Sequence, residues 1–427
     1  MAENTSVSLR KNIIYSIYIR NFTPEGTFRA AEKQLKRIKE LGADIIWLMP
    51  IHPIGKAGKK GSLGCPYAIS DYRAVNPSYG SMDDFIHFTD MCHALSMKCI
   101  IDVVYNHTSP DSVLAKEHPE FFYRMPDGKF GNKDGLWSDV IDLDYSVPQL
   151  WDYQIETLKM WAKTADGFRC DVASMVPLEF WKTAVKEVAK VNPDCFWLAE
   201  TVHSEHIFHA RESGFEVFTD YDGYQAFDAE YEYDIRTVFD GYFAGKLPLS
   251  AYIDALCRQE SFYPENYIKL RCLENHDMPR IASLVKSREE LEAWTAFLFF
   301  EKGITMLYMG QEYLCNTVPS LFEYDKITCD AQSDISGYIS RLAEIKKKYI
   351  PADGWFSAKA CDDTRIVCAK YSGSGKDVYG IFPLGGNPGE VETGLADGDY
   401  NNLIDKAPVS VKNGRLYCQG KPIIIAE

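Results

Sequence analysis

The chain has 427 residues, 46 % of them apolar and 25 % charged, with a formal net charge of −15. That length exceeds one ordinary domain, and the apolar share can build a sizeable core. The acidic balance argues against nucleic acid and against an anionic membrane surface as partners, and puts no penalty on a neutral substrate. No run approaches the ~18–20 apolar residues that span a bilayer. The first twenty residues hold no leader-like apolar stretch, so the expectation is a cytoplasmic protein. Twelve cysteines stand singly, several of them (Cys99, Cys170, Cys272) inside apolar runs. This is the pattern of small buried hydrophobes in a reducing compartment, not of a disulfide framework. There is no CxxC or Cys/His cluster to suggest zinc.

Eight runs read as strands: Ile13–Arg20, Asp44–Met49, Lys98–Val104, Gly167–Val172, Phe196–Glu200, Ala226–Tyr231, Ile268–Leu273 and Ile304–Tyr308. Most are β-branched or aromatic and of strand length. Between the first two, Phe28, Ala31, Leu35, Ile38 and Leu41 recur at helical spacing, and Gly42 supplies a stop. Trp151–Ala162 and Phe180–Ala189 behave in the same way. Strands alternating with helices imply parallel βα units. Eight such units over roughly 340 residues predict a closed (β/α)₈ TIM barrel with additions. An open doubly wound sheet is the second choice, but no glycine-rich dinucleotide loop is present.

The connection from His107 to Asp166 is too long for a simple loop and is rich in Pro, Asp, Gly and aromatic residues. Residues 107–150 are therefore expected to form a small inserted subdomain, with Phe121, Phe122 and Tyr123 as its core. The barrel is expected over 1–106 and 151–350. Beyond it, short alternating runs (Thr364–Tyr371, Asp377–Phe382, Arg415–Tyr417, Ile423–Ile425) predict a C-terminal antiparallel β-sandwich over 351–427.

Three acids, Asp171, Glu200 and Asp277, close or follow three of the strand-like runs. Carboxylates at the mouth of a sheet are costly unless chemistry uses them, and paired carboxylates are the working groups of most glycosidases. Strand side chains alternate, so Gly167, Arg169 and Asp171 share one face, as do Asp102, Val104 and Asn106. An inward Arg169 in an apolar barrel needs a carboxylate partner, and Asp102 is the obvious one. Barrel enzymes work at the C-terminal ends of their strands, where Asn106, His107, Asp171, Glu200, His276 and Asp277 all fall.

These residues resemble the alpha-amylase family of glycoside hydrolases over nearly the whole chain. Asp102–His107 resembles the family's third-strand segment, Gly167–Asp171 the segment with its nucleophile, Trp197–Glu200 that with its acid/base, and Glu274–Asp277 that with its third carboxylate. Gly42–Pro50, the spacing of Tyr67 to Asp71 and Tyr72, Asp142–Tyr145 and Gly303–Glu312 add to the match. The resemblance implies a retaining double displacement on alpha-1,4-linked glucans or maltooligosaccharides. Asp171 would attack the anomeric carbon, Glu200 would act as acid and then base, and Asp277 would bind sugar hydroxyls. By the same resemblance, Arg169 and His107 would orient Asp171, His276 would bind the same sugar, and Tyr67 would stack on its face. A retaining pair stands about 5–5.5 Å apart.

The resemblance also has departures. Many amylases carry Lys-His after the nucleophile turn, where this chain has Ser174 and Met175, which implies a different leaving-group subsite. Val172 after the nucleophile is similar to members that cut 1,6 links. Asn106 and Asp142 match family calcium ligands, but two oxygens fall short of the six to eight calcium wants, and hydrogen bonding within the loops is the expected use of both. No cofactor is needed for the chemistry. Two alternatives stand beside the hydrolase: alpha-1,6-glucosidase or neopullulanase-type action, or glucosyl transfer, at the same site. A non-catalytic carbohydrate-binding protein is disfavoured because all three acids are present. The expected partner is an oligosaccharide or polysaccharide, with the oligomeric state left open.

Overall fold

The computed structural model describes residues 5–133, 135, 137–328, 331–373 and 375–427. Ten strands precede the C-terminal region. They are β1 (Ile13–Ile17), β2 (Ile45–Leu48), β3 (Lys98–Val103), β4 (His107–Thr108), β5 (Ile141–Asp142), β6 (Gly167–Cys170), β7 (Phe196–Ala199), β8 (Ala229–Tyr231), β9 (Lys269–Arg271) and β10 (Ile304–Tyr308). Eight of them close a barrel in the order β1-β10-β9-β8-β7-β6-β3-β2. All eight fall within the runs that the sequence marks as strands. By compactness the chain divides into two units. One is built on Ile14–Asp234 and Pro319–Thr328, the other on Ser6–Ile13, Ile235–Val318 and the remainder of the chain to Glu427.

In the first unit, β1, β2, β3, β6, β7 and β8 pair in parallel, neighbour to neighbour. Every residue of β1, β2, β6 and β7 is buried, as expected of strands covered on both faces. The register sets Asp102 directly opposite Arg169. Gly167 starts β6 because a Cβ there would lie 2.3 Å from the Phe196 carbonyl oxygen. The helical run after β1 is split into Phe28–Glu32 and Leu35–Glu40. The Gln34 N–H bonds to the Ala31 carbonyl, three residues back, which tightens the chain at that point. Gly42 takes φ +100°, the left-handed stop that glycine allows after a helix.

The long connection after β3 carries the hairpin β4–β5, in which His107 faces Asp142. Phe121 and Phe122 are buried there, and Phe122 packs on Phe130 at 5.5 Å. Tyr123 instead meets Phe215, at 6.0 Å.

In the second unit, β9 and β10 pair in parallel. The C-terminal region holds eight strands: β11 (Trp355–Cys361), β12 (Ile366–Ser372), β13 (Val378–Pro383), β14 (Gly389–Glu392), β15 (Gly398–Asn401), β16 (Pro408–Lys412), β17 (Arg415–Cys418) and β18 (Ile423–Ala426). They form two four-stranded antiparallel sheets, β11-β12-β13-β18 and β14-β17-β16-β15. Ile366, Tyr379 and Ile381 of the first sheet and Val391, Val411 and Leu416 of the second share one core. Four of these eight strands correspond to no run marked in the sequence. All four, β11, β14, β15 and β16, bury one residue or none, so their apolar signal is thin.

Among the described residues eleven cysteines are free thiols, and no helix is long and apolar enough to cross a membrane.

A charged group lies in the core of the second unit. Lys346, on the helix Ser336–Tyr349, is 2 % exposed and donates to the carbonyls of Phe299 and Glu301, each at 3.3 Å. Burial pushes its ammonium down to about 7, with the Glu301 carboxylate opposing and Arg271 reinforcing the shift. The folded value lies below the ordinary 10.5, so between those two the unfolded chain holds a proton that the folded one lacks. Stability contributed at this position therefore rises with pH across that window. Replacing Lys346 with Met is expected to flatten that rise. The Tm of the variant should gain less than that of the parent from about pH 7 to about pH 10, and equal gains would remove Lys346 as the source.

Candidate active site

Arg169 on β6 is fully buried and reaches three carboxylates. Its Nη1 lies 3.0 Å from Asp102 Oδ1 and 2.7 Å from Asp171 Oδ1, and its Nη2 lies 2.7 Å from Glu200 Oε1. The first pairing follows from the register of β3 with β6. The second follows from strand alternation, which puts residues 169 and 171 on one face. The third requires β7 to lie beside β6, as the sheet order has it. Three aromatic rings surround the guanidinium: Trp47 at 5.2 Å, Tyr231 at 5.4 Å and Tyr67 at 5.7 Å from their centroids. Burial opposes its charge, but Asp102 and then Glu200 outweigh that and hold Arg169 well above its usual range.

Glu200 has a second anchor. The Val172 N–H donates to its Oε2 at 2.8 Å. Val172 sits at φ +35°, ψ +45°, a left-handed conformation that β-branched residues rarely take. Its neighbour Ala173 donates its N–H to the Glu200 carbonyl at 2.9 Å, and the Trp181 indole donates to the Ala173 carbonyl at 3.0 Å. The turn after Asp171 is thereby tied to the end of β7 by both main chain and side chain.

Tyr67 is 9 % exposed, with its hydroxyl donating to Asp102 Oδ2 at 3.0 Å. It therefore belongs to the Arg169 cluster. His107 is buried, with Nδ1 3.2 Å from Asn106 Nδ2 and its ring 5.3 Å from that of Trp137. Burial pushes its imidazole below the usual range, against the pull of Asp142 and Asp139, which favours the neutral ring at neutral pH. Beyond Asp171 and Glu200, Met175, Val202, Ala210 and Val217 form an apolar cluster joined by Val172 and Trp137. Trp137 also stacks on His206 at 6.4 Å.

His276 and Asp277 belong to the second unit. His276 Nε2 lies 3.0 Å from Asp277 Oδ2, and the Asp277 side chain is 52 % exposed. The segment is pinned by Glu274, whose Oε1 is 2.6 Å from Arg280 Nη1 and whose Oε2 accepts the Ile281 N–H at 2.8 Å. Burial pushes the Glu274 carboxyl up, with Arg280 opposing.

The sequence reading of the site omitted four parts: the Glu200 arm of the Arg169 fork, the Val172 N–H, Trp137 and the Glu274–Arg280 pair. A charge inside the Glu-Asn-His-Asp segment followed by Arg280 hints at the last. Nothing in the sequence marks the other three.

The residues at the expected calcium positions do not fit that ion. Asp142 Oδ1 lies 3.4 Å from the Asn106 amide nitrogen, and its Oδ2 accepts the Lys133 N–H at 2.7 Å. The Lys133 ammonium donates to the Leu143 carbonyl at 3.4 Å, placing a cation of the chain's own in this neighbourhood. Among the described residues no group of three or more His, Cys, Asp or Glu is placed to hold a metal.

The comparisons with known proteins agree with one another. The model described as "Alpha amylase, catalytic domain" matches residues 8–127 and 135–347, and "Bacterial Alpha amylase C-terminal domain" matches 357–425. A solved alpha-amylase from Lactobacillus plantarum is 44 % identical, with a TM-score of 0.95, over 99 % of this chain and 100 % of that one. A maltogenic alpha-amylase from Thermotoga neapolitana is 34 % identical, with a TM-score of 0.87, over 98 % and 99 %. An alpha-1,4-glucan:maltose-1-phosphate maltosyltransferase from Myxococcus xanthus is 32 % identical over 202 residues, 42 % of this chain. That match spans 30 % of the maltosyltransferase's own length.

Two expectations follow. Arg169→Lys keeps the charge but loses the planar fork, so turnover should fall by about 10²-fold or more, with a smaller loss of stability than Arg169→Met. Arg169→Met strands the carboxylates and should cost about 3–5 kcal/mol in urea unfolding. Prolonged treatment with a chelator should leave Tm and turnover unchanged. A fall of more than about 4 °C that calcium restores would place a metal here.

Proposed function

The chain belongs to the alpha-amylase family, and from that membership we propose that it is a retaining glycoside hydrolase cleaving alpha-1,4-glucosidic bonds in starch-type glucans or maltooligosaccharides. The observation that carries this reading is the fork of Arg169, which pairs with Asp171 through one terminal nitrogen and with Glu200 through the other. Two carboxylates on adjacent prongs of one rigid guanidinium are held close together. That suits direct attack rather than attack through an intervening water.

Asp171, paired with Arg169, forms a bond to the anomeric carbon as the glycosidic C–O bond breaks. Glu200, carrying a proton for this step while Asp102 and Asp171 meet the Arg169 charge, gives that proton to the departing oxygen. Water then attacks the anomeric carbon, its proton passes to Glu200, and Asp171 is released. Two inversions return the original configuration. Asp277, oriented by His276, is assigned to sugar hydroxyls, and a neutral His107 to donating or accepting a hydrogen bond with a sugar hydroxyl.

A second reading, glycosyl transfer to a sugar acceptor, is favoured by the apolar cluster of Met175, Val202, Val172 and Trp137. Met175 and Val202 are buried in that cluster, while Val172 and Trp137 are partly exposed against it and can pack on the C–H face of a sugar ring. The maltosyltransferase likeness points the same way.

Asp171→Asn is expected to lower turnover at least ~10³-fold with the fold intact by circular dichroism, and an equally active variant would refute the nucleophile. Product profiles on maltohexaose, isomaltose and pullulan separate the readings. Shorter maltooligosaccharides alone indicate hydrolysis of 1,4 links. Products longer than the substrate indicate transfer, and glucose from isomaltose indicates 1,6 action.

A further inference from the structure

The connection after β2 contains a strap, residues 55–64, rich in glycine and lysine and mostly exposed. Ordering a segment of this composition costs backbone entropy that its exposed residues do not recover by burial. It is nevertheless held by two segments far from it in the chain. On one side, the Lys60 ammonium lies 2.9 Å from Asp139 Oδ1, a carboxylate only 4 % exposed in the inserted region. The Lys56 N–H donates to Asp111 Oδ2 on the same side, at 3.1 Å. On the other side, the Ser62 N–H donates to Glu323 Oε1 at 2.8 Å, and the Leu63 N–H to the Phe322 carbonyl at 3.0 Å. Buried Arg20 adds a third tie, its Nη1 donating to the carbonyls of Gly64 at 3.2 Å and Leu321 at 2.9 Å. All of these residues belong to the first unit.

The strap stands beside the candidate acids. Burial pushes the thiol of Cys65, at its end, up to about 12 against the Tyr67 N–H; Asp139 and Asp171 add to the rise, and Lys60 opposes it. The Lys60–Asp139 latch and Asp171 thus act on the same thiol. Strand order tells on which side of the acids the strap lies. Glu200 follows β7, Asp171 follows β6, Asp102 sits on β3 and the strap follows β2, and these strands neighbour one another in that order. An acid that protonates the leaving oxygen stands on the side of the departing sugar. The retained sugars then extend past Asp171 in the opposite direction, toward Tyr67 and the strap. We propose that residues 55–64, latched by Lys60–Asp139 and Ser62–Glu323, wall off the groove on the retained-sugar side, so that the site takes a glucan by its non-reducing end and releases short products. This rests on the reading that the chain cleaves alpha-glucans.

The test compares cleavage of maltoheptaose with cleavage of the same sugar carrying an acetal across O4 and O6 of its non-reducing glucose. A walled groove has no room for the blocked end, whereas a groove open at that side passes it. The parent should cleave the blocked sugar at least about tenfold more slowly than the free one. Lys60→Ala combined with Glu323→Ala removes both latches and should bring the two rates within about threefold of each other, with longer products from the free sugar. Misfolding cannot produce a gain on the blocked sugar, and a ratio of two rates on one sample cancels any loss of folded protein. A parent that cleaves both sugars equally overturns the wall, whether or not the variant folds. An unchanged ratio in the double variant overturns it as well. If the parent cleaves neither sugar, the catalytic reading fails and the wall falls with it, a result distinct from equal cleavage of both.

Discussion

One buried cation organises the catalytic face of the first unit. The Arg169 guanidinium has no access to solvent and is charged whenever the protein is folded. Water cannot solvate it there, so its charge must be met by other groups. Asp102, Asp171 and Glu200 meet it, and the faces of Trp47, Tyr231 and Tyr67 fill the rest of its surroundings. Such a cluster is poor evidence of stability, because desolvation offsets much of the attraction. Its value lies in geometry: a planar fork fixes the separation and direction of the carboxylates it holds. Asp171 and Glu200 are thus positioned by one rigid group, which is itself positioned by Asp102 across the register of two strands.

The turn after Asp171 is strained in support of that arrangement. A left-handed β-branched residue costs about 1–3 kcal/mol. At Val172 this conformation aims a backbone N–H at Glu200 Oε2, while Ala173 is held by the Glu200 carbonyl and by Trp181. Three hydrogen bonds on two consecutive residues over-determine the backbone and keep it in a conformation it would not choose alone. Val172 itself packs against the apolar cluster of Met175 and Val202.

The barrel was legible because its signal is strong and local. Parallel strands covered on both faces must be apolar throughout, so eight short runs stand out between amphipathic helices. The Asp102–Arg169 pair was legible from alternation together with the cost of an unpaired buried charge. The C-terminal sheets were half legible. Strands such as Gly398–Asn401, with no buried residue, carry no periodic apolar signal, and their place is fixed by pairing with Pro408–Lys412. The Glu200 arm of the fork and the Val172 N–H were invisible, because neither a side chain's lateral reach nor a backbone dihedral is written in residue type.

The sequence by itself determined the class of fold, the candidate acids and the charge that must be neutralised in the barrel. Each of these is a property of residue identity and spacing along one strand. The tertiary structure alone decided that one guanidinium holds two of those acids and that the Val172 N–H meets Glu200 Oε2. Each of those depends on which strands lie side by side and on where loops far apart in the chain come to rest. Such distances are set by the packing of the whole core, and no local pattern encodes them.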